Sequence, residues 1–517
     1  MAFPIHTNAL LYIYKCPSQY IQMPLPTYTN GLINIYKWPY QYIQMALPIY
    51  TNGLTHIYKC PYQYIRITFL YLVLAICSGM ANDDYPDIDY FCSLMPESRS
   101  VALHTLGCKL NYAETSAIER LMENDGFVKK DFTDEADVYV INTCSVTENA
   151  DKECRQLVRR IQRQAPEAMV VIIGCYAQLK PKEIAEIPGV DLVLGASEKF
   201  NITSHLKELT HGDSAKICSC EIEDVEGFHS SFSLNSRTRT FLKVQDGCDY
   251  SCSFCTIPLA RGRSRSNSIE NVLSEIKKIA EAGVKEIVFT GINLGDFGKD
   301  GNGIKTNENF YSLLKAVEAF NGVPRYRISS IEPNLLTEDI IQLVADSKKI
   351  MPHFHIPLQS GSNKILRLMR RRYQRELYAD RVAMIKTQIR DCCIGVDVIT
   401  GFPGETDEDF KETVDFLVSL DVSYFHVFTY SERANTHALS LSPVVPIHTR
   451  NERTKILRSL SYKKMQQFTR QHFGETRKVL FESHNKNGLM EGYTDNYIKI
   501  ATSYKEEWTN EIIDWKI

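Results

Sequence analysis

The sequence predicts an α/β protein in three folded parts: an N-terminal parallel-sheet α/β domain, a partial (βα)6 barrel and a small C-terminal β-barrel. Three observations carry this. From Val101 to Tyr430, short apolar runs alternate with amphipathic helical stretches, the pattern of a parallel sheet. Most of those runs end in Gly, Cys or small polar residues, where parallel sheets and barrels place their sites. After Gly474 the runs stay short and no helical stretch separates them. The chain has 517 residues, enough for several domains. Its 44% hydrophobic and 23% charged residues are ordinary for a globular protein. A net charge of -3 excludes a uniformly basic nucleic-acid binder, so any RNA contact must come from local patches. Fifteen Cys in a secreted protein would suggest disulfides, but the well-placed ones sit in Gly-flanked loops, which argues for a reducing cytoplasm.

Residues 1–94 are set apart. Thr29–Lys37 returns almost unchanged as Thr51–Lys59, a repeat of 22 residues, and a degraded copy starts at Thr7. The repeat has no helical or strand period and is rich in Tyr, Pro and Gln, so it fits a translated tandem DNA repeat better than a solenoid. Ile67–Cys77 is apolar for eleven residues, too short to span a bilayer, and lies far from Met1 for a signal-peptide core. We therefore expect residues 1–94 to lie outside the functional fold, with translation starting near Met95 and no membrane partner.

The first domain spans residues 98–206. Ser100–Leu106 reads as a strand ending in Gly107-Cys108-Lys109-Leu110-Asn111, with a helix from about Ala113 to Asn124. Ala136–Ile141 is a second strand, ending in Asn142-Thr143-Cys144, and Glu148–Gln164 is an amphipathic helix. Met169–Ile173 is a third, ending in Gly174-Cys175, and Asp191–Leu194 a fourth, ending in Gly195. Three successive strands thus deliver a Cys to the same sheet edge. The plain alternative is three buried structural Cys.

Residues 207–239, enriched in Ser, Asn and Thr, read as a linker, and residues 240–472 as the barrel. Its strands are Phe241–Val244, Glu286–Thr290, Tyr326–Ser330, His353–Leu358, Cys393–Thr400 and Tyr424–Tyr430, with a helix at Ile269–Ala282. Cys248, Cys252 and Cys255 follow the first strand with C-x3-C-x2-C spacing. Three thiolates hold three irons of a four-iron cluster that otherwise takes four Cys, leaving one iron open to a small molecule. The alternatives are a zinc site or a disulfide; structural zinc wants four ligands, and no fourth Cys or His lies at short range. Gly291, Ser330, Glu332, Gln359, Ser360 and Asp397 fall at or near strand ends, small or polar positions suited to binding a polar cofactor. Arg261, Arg263 and Arg265, and a second run including Arg370, Arg371 and Arg372, would suit the phosphates of a polyanion such as tRNA; the alternative is a solvated face. In residues 473–517, Lys478–Glu482, Gly488–Tyr493 and Tyr497–Thr502 read as strands.

The C-x3-C-x2-C loop resembles the radical S-adenosylmethionine (SAM) superfamily. TLGCKLNYAET, INTCSVT and GCYAQ resemble the N-terminal domain of the methylthiotransferases within it. The resemblance runs from about Val101 to the C-terminus. It implies two four-iron clusters, with Cys108, Cys144 and Cys175 holding the auxiliary one and Cys248, Cys252 and Cys255 the one that binds and cleaves SAM. Cys154, Cys218, Cys220, Cys392 and Cys393 match no ligand position. It implies that Gly291 and Asp397 help seat SAM, that two SAM are used per turnover, and that a low-potential donor such as flavodoxin or ferredoxin supplies electrons; the sulfur donor is left unnamed. The C-terminal segment resembles the RNA-binding β-barrel module called TRAM. The implied reaction converts the carbon 2 hydrogen of an adenine to a methylthio group. TLGCKLN with GCDYSCSFCTIPLARG resembles most the branch acting on N6-threonylcarbamoyladenosine beside the tRNA anticodon, at position 37; the alternatives are the isopentenyladenosine branch and the branch modifying an Asp of a ribosomal protein. A non-catalytic iron–sulfur RNA-binding protein is the reading from a different class, and the intact six Cys and loop motifs argue against it.

Overall fold

The computed structural model describes residues 98–517 apart from 145–147, 210, 213, 235–237 and 484–486. The repeats, the apolar run and the expected start at Met95 lie outside the described residues. Glu97–Ile517 forms one compact unit.

The first sheet is parallel and six-stranded. Its strands are β1 (Ser100–Thr105), β2 (Val128–Lys129), β3 (Val138–Thr143), β4 (Met169–Gly174), β5 (Leu192–Leu194) and β6 (Lys216–Cys218), in the order β2-β1-β3-β4-β5-β6. Alternation along each strand splits its side chains between two cores. Tyr139, Ile141, Val170 and Ile172 enter one, and Val138, Val140, Val171 and Ile173 the other. Every residue of β3 and β4 is buried, which is why those segments read as continuous apolar runs. The helix expected from Ala113 begins earlier, at Lys109, with Cys108 as its N-cap.

Residues 207–239 are not a plain linker. β6 extends the first sheet at its edge, and β7 (Ser231–Phe232) pairs antiparallel with β8 (Arg239–Lys243) of the next. A two-residue β9 (Gln245–Asp246) then pairs with β10 (Arg265–Ser266), flanking the Cys loop on both sides.

The barrel strands are β8, β11 (Glu286–Thr290), β12 (Arg325–Ile328), β13 (His353–Gln359), β14 (Cys393–Thr400) and β15 (Tyr424–Thr429). β8, β11 and β12 pair in parallel, as do β13, β14 and β15. Parallel bridges Tyr326–Ile350 and Ser330–His355 join the two sets. No pairing joins β15 back to β8 among the described residues, so the six strands form an open arc. Leu242, Phe289, Ile328, Ile356 and Val396 belong to one core that the outer helices cover. Capping sets the helix starts: Asn309 with Ser312, and Thr406 with Asp409, form reciprocal caps.

The C-terminal part corrects one expectation. β16 (Thr476–Phe481), β17 (Leu489–Thr494), β18 (Lys499–Ser503) and β19 (Ile512–Lys516) form an antiparallel sheet in the order β18-β17-β16-β19. Its edge strands do not pair among the described residues, so the sheet is open and not a closed barrel. It sits against the first residues of the barrel strands. Arg325 donates to the carbonyls of Lys478 and Tyr493, Arg327 to those of Thr494 and Asp495, and Tyr497 stacks on His353 at 4.2 Å.

Candidate active site

The loop after β9 is shaped by backbone geometry before any side chain acts. Gly247 has φ +69°, and a Cβ there would lie 1.9 Å from the Arg263 carbonyl oxygen, so only Gly lets the chain turn into the Cys segment. Cys248 N donates to the Gly262 carbonyl at 3.0 Å, and Cys255 N to that of Cys252 at 3.1 Å. Two sulfurs accept backbone hydrogen bonds: Cys248 from Tyr250 N and Cys255 from Ile257 N, each at 3.4 Å. Burial pushes the thiols of Cys248 and Cys255 up to about 12. In each, the neighbouring Cys adds to the rise. A crowded set of thiols, of which Cys248 and Cys255 resist ionisation on their own, suits a cationic iron centre, which takes Cys as thiolates.

The third sulfur has a cationic neighbour. Arg371 Nη1 donates to Cys252 Sγ at 3.1 Å, while Nη2 is held by Glu332. The Arg371 side chain is only 4% exposed. Beside the loop lies a cavity of about 240 Å3 whose lining includes Cys255, Gln359, Asp397, Phe428, Tyr430 and Arg433. Gln359 sits there with φ 70°, where the β13–β14 register shifts. His355 Nε2 lies 2.8 Å from Asp397 Oδ1. Burial alone would raise Asp397, but His355, His426 and Lys109 hold it below the usual carboxylate range. The buried Tyr430 hydroxyl in this lining, and both side-chain polar atoms of buried Asn293 beside the Cys loop, have no hydrogen-bond partner among the described residues. Orphaned polar atoms beside three convergent thiols fit a polar cofactor bound at an iron–sulfur centre.

The second Cys set converges at the sheet edge. β1, β3 and β4 are neighbours, and Cys108, Cys144 and Cys175 directly follow their ends or the short turn beyond. Gly107, with φ +101°, passes so close to Cys144 that a Cβ would lie 2.5 Å from its Cβ and 2.8 Å from its Sγ. Burial raises the Cys175 thiol, and Cys108 raises it further, so these two sulfurs are within electrostatic reach of each other. Cys154, Cys392 and Cys393 are buried in apolar cores.

A buried charge network locks the two sets together. Glu114, with no exposed surface, accepts from Lys243 at 2.9 Å, from Lys199 at 2.7 Å and from Arg261 at 3.2 Å. Arg261 also reaches Asp246 Oδ1 at 3.0 Å and Asn111 Oδ1 at 2.5 Å. Burial opposes the Glu114 charge, yet Arg261, Lys199 and Lys243 hold its carboxyl well below the usual range. Arg261 ends the short helix that follows Cys255, and the thiols of Cys175 and Cys108 both feel its charge.

This geometry corrects part of the polyanion reading. Arg261 and Arg265 are buried, the latter donating to the carbonyls of Gly227 and Arg261, and Arg371 serves Cys252 and Glu332. None of the three is presented to an RNA backbone, because carboxylates, carbonyls and a sulfur already take their donors. Arg263, Arg370 and Arg372 are exposed, with Arg372 stacked 3.9 Å over the Tyr250 ring. Of the expected cofactor residues, Gln359 and Asp397 line the cavity. Ser360 is fully buried against Thr413, Glu332 holds Arg371, Ser330 bridges to His355, and Gly291 packs against Gln245, which braces the Cys loop through Gly247 and Ser264. Sequence reasoning missed Asn293, Phe428, Tyr430 and the Glu114 network; the strand-end rule could have found Asn293 and Tyr430.

The three-Cys loop at the mouth of an open parallel barrel defines a radical SAM protein, and residues 242–417 match the Radical SAM superfamily. Residues 100–195 match Uncharacterized protein family UPF0004. Threonylcarbamoyladenosine tRNA methylthiotransferase MtaB of Bacillus subtilis is 39% identical, over 81% of this chain and 93% of that protein. The MtaB of Aquifex aeolicus is 40% identical, over 78% of this chain and 97% of its own. A tRNA-2-methylthio-N(6)-dimethylallyladenosine synthase of Clostridium botulinum is 31% identical, over 74% and 86%. The chain belongs to the radical SAM methylthiotransferases, in the MtaB branch.

Proposed function

We propose that this protein converts N6-threonylcarbamoyladenosine at position 37 of tRNA to its 2-methylthio derivative. The observation that carries the reading is the meeting of two Cys triads from separate sheets across one buried network, Glu114 with Arg261. We assign Cys248, Cys252 and Cys255 to a catalytic four-iron cluster and Cys108, Cys144 and Cys175 to an auxiliary one. When bound, these groups and SAM supply the radical that removes the carbon 2 hydrogen, the inserted sulfur and the methyl group. The chain's own residues position them. Arg371, anchored by Glu332, fixes Cys252; Gln359, Asp397, Asn293 and Tyr430 offer polar contacts to SAM; and Arg261 holds the two Cys regions in register. Residues 98–206, 240–472 and 473–517 act as the auxiliary-cluster, radical and RNA-binding parts, the last in a TRAM-like role. Exposed Arg263, Arg370 and Arg372 contact tRNA phosphates. A low-potential donor of the flavodoxin or ferredoxin kind reduces the catalytic cluster, and the protein works in the cytoplasm; no helix among the described residues is long and apolar enough to cross a membrane.

Mass spectrometry of tRNA nucleosides tests this, comparing a strain lacking the gene with one complemented by it. Loss and return of 2-methylthio-N6-threonylcarbamoyladenosine is expected. Loss of the methylthio isopentenyl nucleoside instead would move the chain to the other branch, and an unchanged nucleoside pool would refute a tRNA substrate.

A further inference from the structure

The helix that starts at Lys109 enters the concave side of the open barrel. Tyr112 meets Phe241 edge-on with centroids 5.8 Å apart, and Ala113 packs with Phe241 and Val288. Their strand neighbours Leu242 and Phe289 go to the outer core, so Phe241 and Val288 face inward. Lys109 therefore opens its helix inside the arc. Asp397 of β14, Arg239 of β8, Arg327 of β12 and Tyr497 of the C-terminal sheet all lie within electrostatic reach of its ammonium. These residues come from four elements around one space. Lys109 is exposed to solvent, so its ammonium is open to a ligand that enters the arc.

The other charges in that space are matched. Arg239 pairs with Glu482 at 2.8 Å, Arg327 with Glu286 at 3.1 Å, and Asp397 has His355 at 2.8 Å. Lys109 has no ion pair or hydrogen bond to a side chain among the described residues. A solvent-exposed ammonium with no carboxylate bound to it is free to take an anion that enters the same space. Asp397, which lies within electrostatic reach of Lys109, also lines the cofactor cavity, so a ligand beside Lys109 approaches that cavity.

We propose that the Lys109 ammonium receives the carboxylate of the threonylcarbamoyl side chain and so selects the acidic adenosine derivative over an apolar one. This rests on the substrate proposed above. A carboxylate on N6 is the one full negative charge that distinguishes this base from an isopentenyl one, and a charge-assisted hydrogen bond is strong enough to discriminate between them.

The test uses the full chain with reconstituted iron and anticodon stem-loop RNAs carrying N6-threonylcarbamoyladenosine or its threonyl methyl ester. Affinity is measured without SAM, and methylthiolation with it. Wild-type protein should bind the acid roughly ten- to a hundredfold more tightly than the ester. Lys109→Gln should lose that preference by weakening the acid alone, and Lys109→Arg should keep most of it. Iron content and SAM affinity should be unchanged in both variants, which separates the role from loss of the adjacent Cys108 site and from a role in holding the SAM carboxylate. Wild-type indifference between acid and ester overturns the proposal even if every variant fails to fold. Retained preference in Lys109→Gln, or weakened SAM binding in it, also overturns it. Failure of wild type to methylthiolate the acid RNA while it converts an isopentenyl RNA would instead overturn the substrate reading, and this inference with it.

Discussion

Replacing Glu114 by Gln tests whether the buried network holds the two Cys regions together. Glu114 is the carboxylate shared by Lys199, Lys243 and Arg261. After substitution Arg261 keeps Asp246 at 3.0 Å and Lys243 keeps it at 3.3 Å, whereas Lys199, with a side chain 6% exposed, loses its carboxylate partner. One buried cation left unpaired costs about 3–5 kcal/mol. Urea unfolding of the full chain, followed by circular dichroism, should show a loss of that size. Adding Lys199→Met to Glu114→Gln should recover part of it, as a coupled pair requires. The pH dependence has a fixed sign. The folded carboxyl is held well below its unfolded value of about 4.3, so its contribution is complete above that pH and is lost as pH falls through the folded value. The Gln variant should therefore lose less stability than wild type on acidification below about pH 4.3. A loss under about 1 kcal/mol, the size of an exposed pair, would refute the reasoning.

Cys252→Ala should abolish SAM cleavage, while Cys144→Ala should leave some 5′-deoxyadenosine formation and remove sulfur insertion; full methylthiolation by both would refute the two-cluster assignment. Anaerobic reconstitution should give about eight irons in wild type and about four in Cys144→Ala. Arg371→Met should lower the reduction potential of the catalytic cluster, since a charge-assisted donor to Cys252 is lost, and a redox titration followed by electron paramagnetic resonance reads this directly. Arg263→Ala and Arg370→Ala should weaken tRNA binding and reduce its salt dependence by roughly one phosphate contact each, whereas Arg261→Ala should destabilise the fold; filter binding across a salt series and urea unfolding separate the two outcomes.

The strands with buried faces were legible. Val138–Thr143 and Met169–Gly174 are apolar because helices cover both sides, and a Gly or Asn-Thr step announces where each stops. β2 and β6 escaped because they are short edge strands, exposed or half-buried, with no apolar run to mark them. β19 was hidden for the same reason: its pattern mixes Ile, Asp, Trp and Lys on a half-exposed edge. That Cys108, Cys144 and Cys175 follow three neighbouring strands, and that Cys248, Cys252 and Cys255 share one loop, was legible from strand ends and spacing. The fate of the arginines was not. Arg261, Arg263 and Arg265 look alike along the chain, but the first reaches Glu114 far back in sequence, the third turns to the carbonyls of Gly227, Arg261 and Arg263, and the second is left in water. Burial of a charge is decided by distant partners, and a local run of basic residues carries no sign of them.

The contact between the C-terminal sheet and the barrel has a consequence for anyone who would recombine these parts. Tyr497 stacks on His353, the first residue of β13, and under Arg327, while Tyr493 lies under Arg239, the first residue of β8. The same Tyr497 lies within reach of Lys109. The barrel therefore borrows its floor from residues beyond its own last strand. A chimera that exchanges the final sheet for that of a relative would install a different floor beneath β8, β12 and β13, and would have to replace the Tyr497 and Tyr493 contacts to hold it in place.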